Sequence, residues 1–447
     1  MDVFEECHSI NSLLLTGNEG EARSRVILLL DHLVSINQPP SALVNSLIRQ
    51  VGLFPYINFE SATWQDRLVF EAFKVDTGDV NEVTLHREQS RLLKSLIDGK
   101  SIAVSAPTSF GKSFVIDSFI SMRQPNNVVI LVPTVALTDE TRRRLTRKFG
   151  SIYKIITAPE QKLGGRNILI FRQERSAGYA KLLKTIDILI VDEFYKASTA
   201  FDADRSPALI RAIIDLGKVA KQRYFLAPNI DELKDNPFTD GMEFVKLDFN
   251  TVVLKSTDLS SEIRDEPSKS QALLGILNDG SGKTLIYAGT YSNINRLETL
   301  LLTSLQSKDR PLLLQFEDWL AKNYDSNWPL TKLVSRGVGI HNGRLHRSLG
   351  QIQIKLFEES LGLETIVSTS SIIEGVNTSA ETVVLWSNRN GSAKLNDFTY
   401  KNILGRSGRM FRHFVGNIFI LEPPPDSTTN QLQLEFPDDL LGLVTAL

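Results

Sequence analysis

SAPTSFGKSF, residues 105–114, is the stretch on which the fold turns. An apolar run ends at Ala106 and a helical pattern opens near Lys112, so the segment between them leads from a strand into a helix. A phosphate-binding loop needs inward-pointing backbone N–H groups, a lysine for the β- and γ-phosphates and a hydroxyl for Mg²⁺. Gly111, Lys112 and Ser113 supply these, and Thr108 lies inside the same loop. The start of the following helix adds positive field where the phosphates would sit. Ala106 stands where the common pattern has glycine. From these residues alone the alternative is a plain strand–helix junction with a chance Gly-Lys-Ser. The expected ligands are ATP and Mg²⁺.

ILIVDEFY (188–195) narrows the choice. An apolar strand ending in Asp192-Glu193 is what a Mg²⁺-dependent NTPase needs, with Asp192 holding the metal together with Ser113 and Glu193 polarising the attacking water. Ligands of open α/β sheets sit at this end of the strands. Upstream, LHREQSRLLKSL (85–96) offers Gln89, whose amide both donates and accepts and so matches an adenine edge. The alternative for Gln89 is a polar residue at a helix start.

Working outward, the texture of the chain sets the fold class. Short apolar runs at 101–106, 127–133, 167–171, 187–193 and 223–227 alternate with helical or polar stretches. The pattern restarts at 284–289, 364–370, 382–387 and 417–422. Buried strands alternating with helices indicate parallel sheets covered on both faces. The expected fold is α/β, with two tandem parallel-sheet domains, RecA-like by the resemblance set out below, preceded by a small helical domain. The expected boundaries are 1–82 for a helical accessory domain, 83–256 and 257–425 for the two sheet domains, and 426–447 for a tail. STDLSSEIRDEPSKS (256–270) reads as the polar join between the sheets.

Composition agrees with such a molecule and excludes little. A chain of 447 residues is too long for one core. Its 42% apolar and 23% charged residues are ordinary for a globular protein. A net charge of -2 neither demands nor forbids a nucleic-acid partner, because a local basic cleft acts within a neutral molecule. One cysteine, Cys7, allows no internal disulfide and suggests a reducing compartment. MDVFEECHS has no basic-apolar leader, and no run approaches the ~20 apolar residues of a spanning helix. A cytoplasmic protein without a membrane partner is expected.

YKNILGRSGRMFR (400–412) carries Arg406 and Arg409, three apart. Arginine keeps its charge and a rigid fork of donors, which suits it to a γ-phosphate. With the phosphate loop, the acid pair and the tandem α/β plan, this pattern resembles a superfamily 2 helicase of the DExD/H type, in its superkiller-like branch. LVPTVALTDE (131–140) resembles the family's second motif, which implies that Pro133 and Thr134 touch the nucleic-acid backbone. FRQER (171–175) stands where the family often has Thr-Pro-Glu-Arg, and implies a backbone contact at Arg172. LAPNI (226–230) stands where the family has Ser-Ala-Thr and lacks its hydroxyls. VGIHNGRLHRSL (338–349) resembles a His-His-Ala-Gly-Leu stretch, with His341 in first position. STSSIIEGVN (368–377) resembles the branch's Ala-Thr-Ser-Thr-Leu-Ala-Glu-Gly-Val-Asn, which implies Gly375 and Asn377 near ATP and Thr369 and Ser370 near the strand. Asn402 replaces the family's glutamine.

The resemblance runs from about 85 to 422 and leaves 1–82 uncovered. It implies ATP-driven movement along a nucleic-acid strand from 3′ to 5′, with DNA favoured over RNA and a protein partner conceivable at the helical domain. Asn390-Gly391 marks a hairpin, and in this branch a hairpin here splits the duplex. TRRRLTRKF (141–149) is either a phosphate-attracting helix or a solvated face. Two other functions stay open: a nucleic-acid-stimulated clamp or remodeller that never unwinds, and a non-catalytic interaction module. Intact Lys112, Ser113, Asp192, Glu193, Arg406 and Arg409 argue against the last.

Overall fold

The five apolar runs of the first half form the middle of a seven-stranded sheet, all of whose neighbours are parallel. Its order is Glu243–Lys246, Ile102–Ser105, Arg223–Ala227, Ile188–Val191, Asn127–Leu131, Asn167–Phe171 and Lys154–Ile156. This computed structural model of the protein describes residues 1–180, 182–280, 282–372, 380–408, 410 and 413–435. Ile102–Ser105 and Ile188–Val191 are buried at every position, as sheets covered on both faces require. Helices Arg87–Ile97 and Lys112–Arg123 cover one face. Leu92, Leu93, Leu96, Val115 and Phe119 pack there against Val104, Ile130 and Ile190.

A second, six-stranded parallel sheet is ordered Val253–Asp258, Val415–Ile420, Thr382–Leu385, Thr284–Tyr287, Thr365–Ser368 and Val338–His341. The chain divides into two compact units, one of Met1–Thr251 with the segment from Thr429, the other Val252–Thr428. Both sheets therefore have the expected RecA-like plan, preceded by helices Val3–Leu15, Glu19–Ser35, Ala42–Gln50 and Trp64–Ala72. Asp2, Asn18, Ser41 and Thr63 cap these four helices with side-chain oxygens, which fixes where each begins. No helix among the described residues is long and apolar enough to cross a membrane.

The polar join was misread in part. Its first residues belong to the strand Val253–Asp258, and Asp265 caps the helix Glu266–Asp279 at its end. That strand lies at the sheet's edge with most side chains exposed, so it lacks the apolar run by which the others announce themselves. Glu243–Lys246, also an edge strand with no buried residue, escaped for the same reason.

Candidate nucleotide site and nucleic-acid interface

After Ile102–Ser105 the chain makes one turn of 3-10 helix, Thr108–Phe110, passes through Gly111 and enters the helix Lys112–Arg123. Gly111 has φ 77° and ψ 42°, and a Cβ there would lie 2.7 Å from Nε2 of Gln89. The left-handed conformation is what favours glycine here. Lys112 turns back over the loop, its Nζ donating to the Pro107 carbonyl at 3.2 Å. Gln89 is buried. Its Nε2 donates to the carbonyls of Phe110 (2.9 Å) and Gly111 (3.4 Å), and its Oε1 accepts from the His86 N–H (3.2 Å). The amide expected at adenine is here bonded to the loop's own backbone.

Asp192 follows directly on Ile188–Val191. Its Oδ1 accepts from the Glu193 N–H at 3.0 Å. Burial pushes its carboxyl above the ordinary range, while Lys112 is the foremost charge drawing it down, so the two residues act on each other across the loop. Ser113 and Asp192 carry hard oxygen donors of the kind Mg²⁺ takes. Among the described residues no group of three or more His, Cys, Asp or Glu stands ready to hold a metal by itself. Glu193 sits in the left-handed region, φ 52° and ψ 42°, a conformation that costs a non-glycine residue about 1–2 kcal/mol. Its Oε2 lies 3.4 Å from Nζ of Lys196, which is 4% exposed, so a cation stands beside the acid.

The residues expected at nucleic acid fall on both units. Thr134 caps the helix Val135–Phe149, its hydroxyl accepting from the Leu137 N–H at 3.2 Å. The Pro133 carbonyl accepts from Arg205 at 2.5 Å, and the same guanidinium pairs with Glu174 at 2.7 Å. Arg172 stands 3.8 Å from that carboxylate. Arg205 therefore ties the second motif to FRQER; no motif contains it, and only its charge marked it in the sequence. In the LAPNI segment the bond to its backbone comes from elsewhere, Ser105 Oγ accepting from the Ile230 N–H at 2.8 Å.

In the second unit His341 and Ser368 end neighbouring strands in register. His341 Nδ1 and the Ser371 hydroxyl are 2.9 Å apart, and Thr369 Oγ1 is 3.4 Å from the same hydroxyl. The structure thus gathers His341, Thr369 and Ser370 at one sheet end and adds Ser371, which the motif reading passed over. Arg406 follows the helix Asp397–Leu404, its carbonyl accepting from the Ala380 N–H at 3.0 Å. Arg409, Gly375 and Asn377 lie outside the described residues. The hairpin exists: Asn390 pairs with Ala393 around Gly391 at φ 63°. It is pinned by Gly391 N–H to the Gly289 carbonyl (3.1 Å) and by Tyr287 OH to the Arg389 carbonyl (3.0 Å). Trp386 and Phe398, on either side of the hairpin in the chain, are both buried.

The basic helix Val135–Phe149 turns most of its cations onto acids of its own unit. Arg142 and Arg143 pair with Asp139, Arg144 with Asp117, Arg147 with Asp79, and Lys148 with both Asp79 and Asp117. Of the two readings offered by the sequence, the geometry favours the structural one.

His86 carries a stability prediction. Burial pushes its pKa down to about 3, below the ordinary 6.5 of the unfolded chain. The folded state then binds fewer protons, so its stabilising share is full above pH 6.5 and is lost as pH falls toward 3. Urea unfolding at pH 7.5, 6.0 and 5.0 should show stability falling with acid, His86 adding about 1 kcal/mol per pH unit below 6.5. The His86→Gln variant should lose that share of the slope.

Comparison with known proteins places parts of the chain beside known families. Residues 1–67 match the anti-bacteriophage protein B N-terminal domain, and residues 86–226 match the DEAD/DEAH box helicase family. The chain is 34% identical to anti-bacteriophage protein B of Escherichia coli K12, over 99% of this chain and 62% of that protein. It is 22% identical to the ATP-dependent DNA helicase Hel308 of Thermoplasma volcanium, over 75% of this chain and 52% of the relative. It is also 22% identical to DNA polymerase theta of Caenorhabditis elegans, over 76% of this chain and 24% of the relative. The chain spans less than two thirds of the length of each of these relatives.

Proposed function

The chain carries a superfamily 2 helicase core of the DEAD/DEAH type, and from that premise we propose that it hydrolyses ATP to move along DNA, 3′ to 5′, opening duplex as it goes. The observation that carries the reading is the joint placement of Gly111, Lys112 and Asp192 at the phosphate-loop end of one parallel sheet. Mg²⁺, when bound, would polarise the transferring phosphoryl group. The chain's own residues do the rest. Gly111 and the helix start present N–H groups, Lys112 a point charge, Ser113 and Asp192 the oxygen ligands, and Glu193 a base for the attacking water. Arg406 and Arg409 supply further positive charge to the transition state. His341, Thr369, Ser370, Pro133, Thr134 and Arg172 grip the strand, and the pinned hairpin at 389–394 is the wedge. The likeness to an anti-bacteriophage protein supports a role in defence against phage, which would be exercised in the cytoplasm.

A second reading, an ATP-driven clamp or remodeller that does not unwind, is favoured by Ala227-Pro228-Asn229, where the family's coupling hydroxyls are missing. ATP turnover measured alone and with single-stranded DNA, duplex DNA and single-stranded RNA tests the ATPase and names the polymer. Strand displacement then separates motor from clamp. Arg409→Ala should cut turnover at least about tenfold while ATP still binds; an unchanged rate removes Arg409 from the reaction.

A further inference from the structure

The N-terminal helices reach the phosphate loop through a stack of side chains. Arg23, on the helix Glu19–Ser35, is 5% exposed. Its Nε donates to the Val51 carbonyl (3.4 Å), its Nη1 to Asn250 Oδ1 (3.3 Å) and its Nη2 to Glu19 (2.8 Å). Its guanidinium carbon lies 4.0 Å from the centre of the Phe249 ring, a buried cation–π contact. Phe249 stacks in turn on His86, with centroids 4.5 Å apart and planes at 16°. His86 Nδ1 accepts from the Gln89 N–H at 3.2 Å. That leaves Nε2 as the protonated nitrogen, which donates to the Phe110 carbonyl at 3.4 Å. The neighbouring chain does the same work. Asn250 Nδ2 donates to Ser24 Oγ (3.1 Å), and Thr251 Oγ1 donates to the Ser109 carbonyl (3.1 Å).

A trans peptide holds its C=O and N–H on opposite sides. Fixing the Phe110 carbonyl on His86 and Gln89 therefore aims the Gly111 N–H away from them. The Gly111 carbonyl, held by the Phe114 N–H (3.0 Å) and by Gln89 (3.4 Å), does the same for the Lys112 N–H. These are the two donors that open the phosphate cradle. Rotation of either peptide would withdraw one.

We propose that Arg23 is a positioning residue for nucleotide binding, holding the phosphate-loop peptides in their binding orientation through Phe249 and His86. The helical segment ahead of the ATP-binding sheet thereby sets nucleotide affinity. The inference rests on the ATP-site reading above.

The test is titration of the full chain with Mg²⁺ and a fluorescent ADP, at a temperature where circular dichroism shows every variant folded. Arg23→Gln and Phe249→Leu should each weaken ADP about tenfold. The double variant should bind much as the weaker single does, because the residues act in series. Phe249→Tyr, which keeps the ring, should bind as wild type. The KM for ATP should rise in step while kcat at saturation holds. Unchanged ADP affinity in both singles, even with lowered thermal stability, makes Arg23 structural only and overturns the proposal. So does a double variant whose losses multiply in full. Should Arg23→Gln fail to fold, Phe249→Leu and Phe249→Tyr decide by the same criteria. A wild type that binds no ADP overturns the ATP-site reading and this inference with it.

Discussion

Lys112→Ala is expected to abolish ATP turnover, lowering kcat on the order of a thousandfold in the presence of the stimulating polymer. Lys112 is the loop's own point charge, held over it by the Pro107 carbonyl. Alanine removes that charge but leaves Gly111's left-handed turn and the helix start intact. Alanine is also a good helix former at a position only half-buried. The fold should survive, so circular dichroism should be unchanged while released phosphate disappears. Wild-type turnover in this variant would remove 105–114 from the reaction.

Glu193→Gln is the second large effect. A positioned general base contributes roughly 10²–10⁴ in rate, and the amide keeps the side chain's shape while giving up its basicity. Asp192 is untouched, so nucleotide and metal should still bind and only the chemical step should fail. Single-turnover hydrolysis beside nucleotide titration separates the two. Loss of both together would assign Glu193 to binding rather than to the water. The left-handed backbone at Glu193 belongs to the same argument. Gln meets the same strain there as Glu, so a drop in rate reports the lost base and not a relaxed loop.

Much of this molecule was legible because its parallel strands are buried on both faces and spell themselves as apolar runs. Ile102–Ser105 and Ile188–Val191 are the clearest cases, and the candidate phosphate loop and the acid pair hang directly from their ends. Exposed edge strands were not legible, since Val253–Asp258 buries none of its six residues and so reads like a linker. At the candidate site, Gly111, Lys112 and Asp192 could be named from the sequence because the chemistry expected of them dictates type and spacing together. Arg205 and Lys196 were not, because a single cation says nothing until the fold shows which carboxylate it meets. Gln89 shows a third limit. Its position was found from the motif, but its partners, the carbonyls of the phosphate loop, depend on contacts that spacing does not contain. Arg23 and Phe249 lie far apart in the chain and belong to no motif, and only the folded first unit brings them together.

The ion pairs along Val135–Phe149 have a thermodynamic consequence. Binding to a polyanion draws part of its strength from counterions set free when protein cations replace them at phosphates. Arg144 and Lys148 are already neutralised by Asp117, and Lys148 is 4% exposed. To replace a counterion at a phosphate each would first have to give up its carboxylate. A helix that looks like a strongly basic tract in sequence therefore contributes much less than its formal charge to the salt dependence of binding. For this helix Asp79, Asp117 and Asp139 stand where a nucleic acid's phosphates would, so ion release on binding a polyanion would draw chiefly on its more exposed arginines and on cations elsewhere.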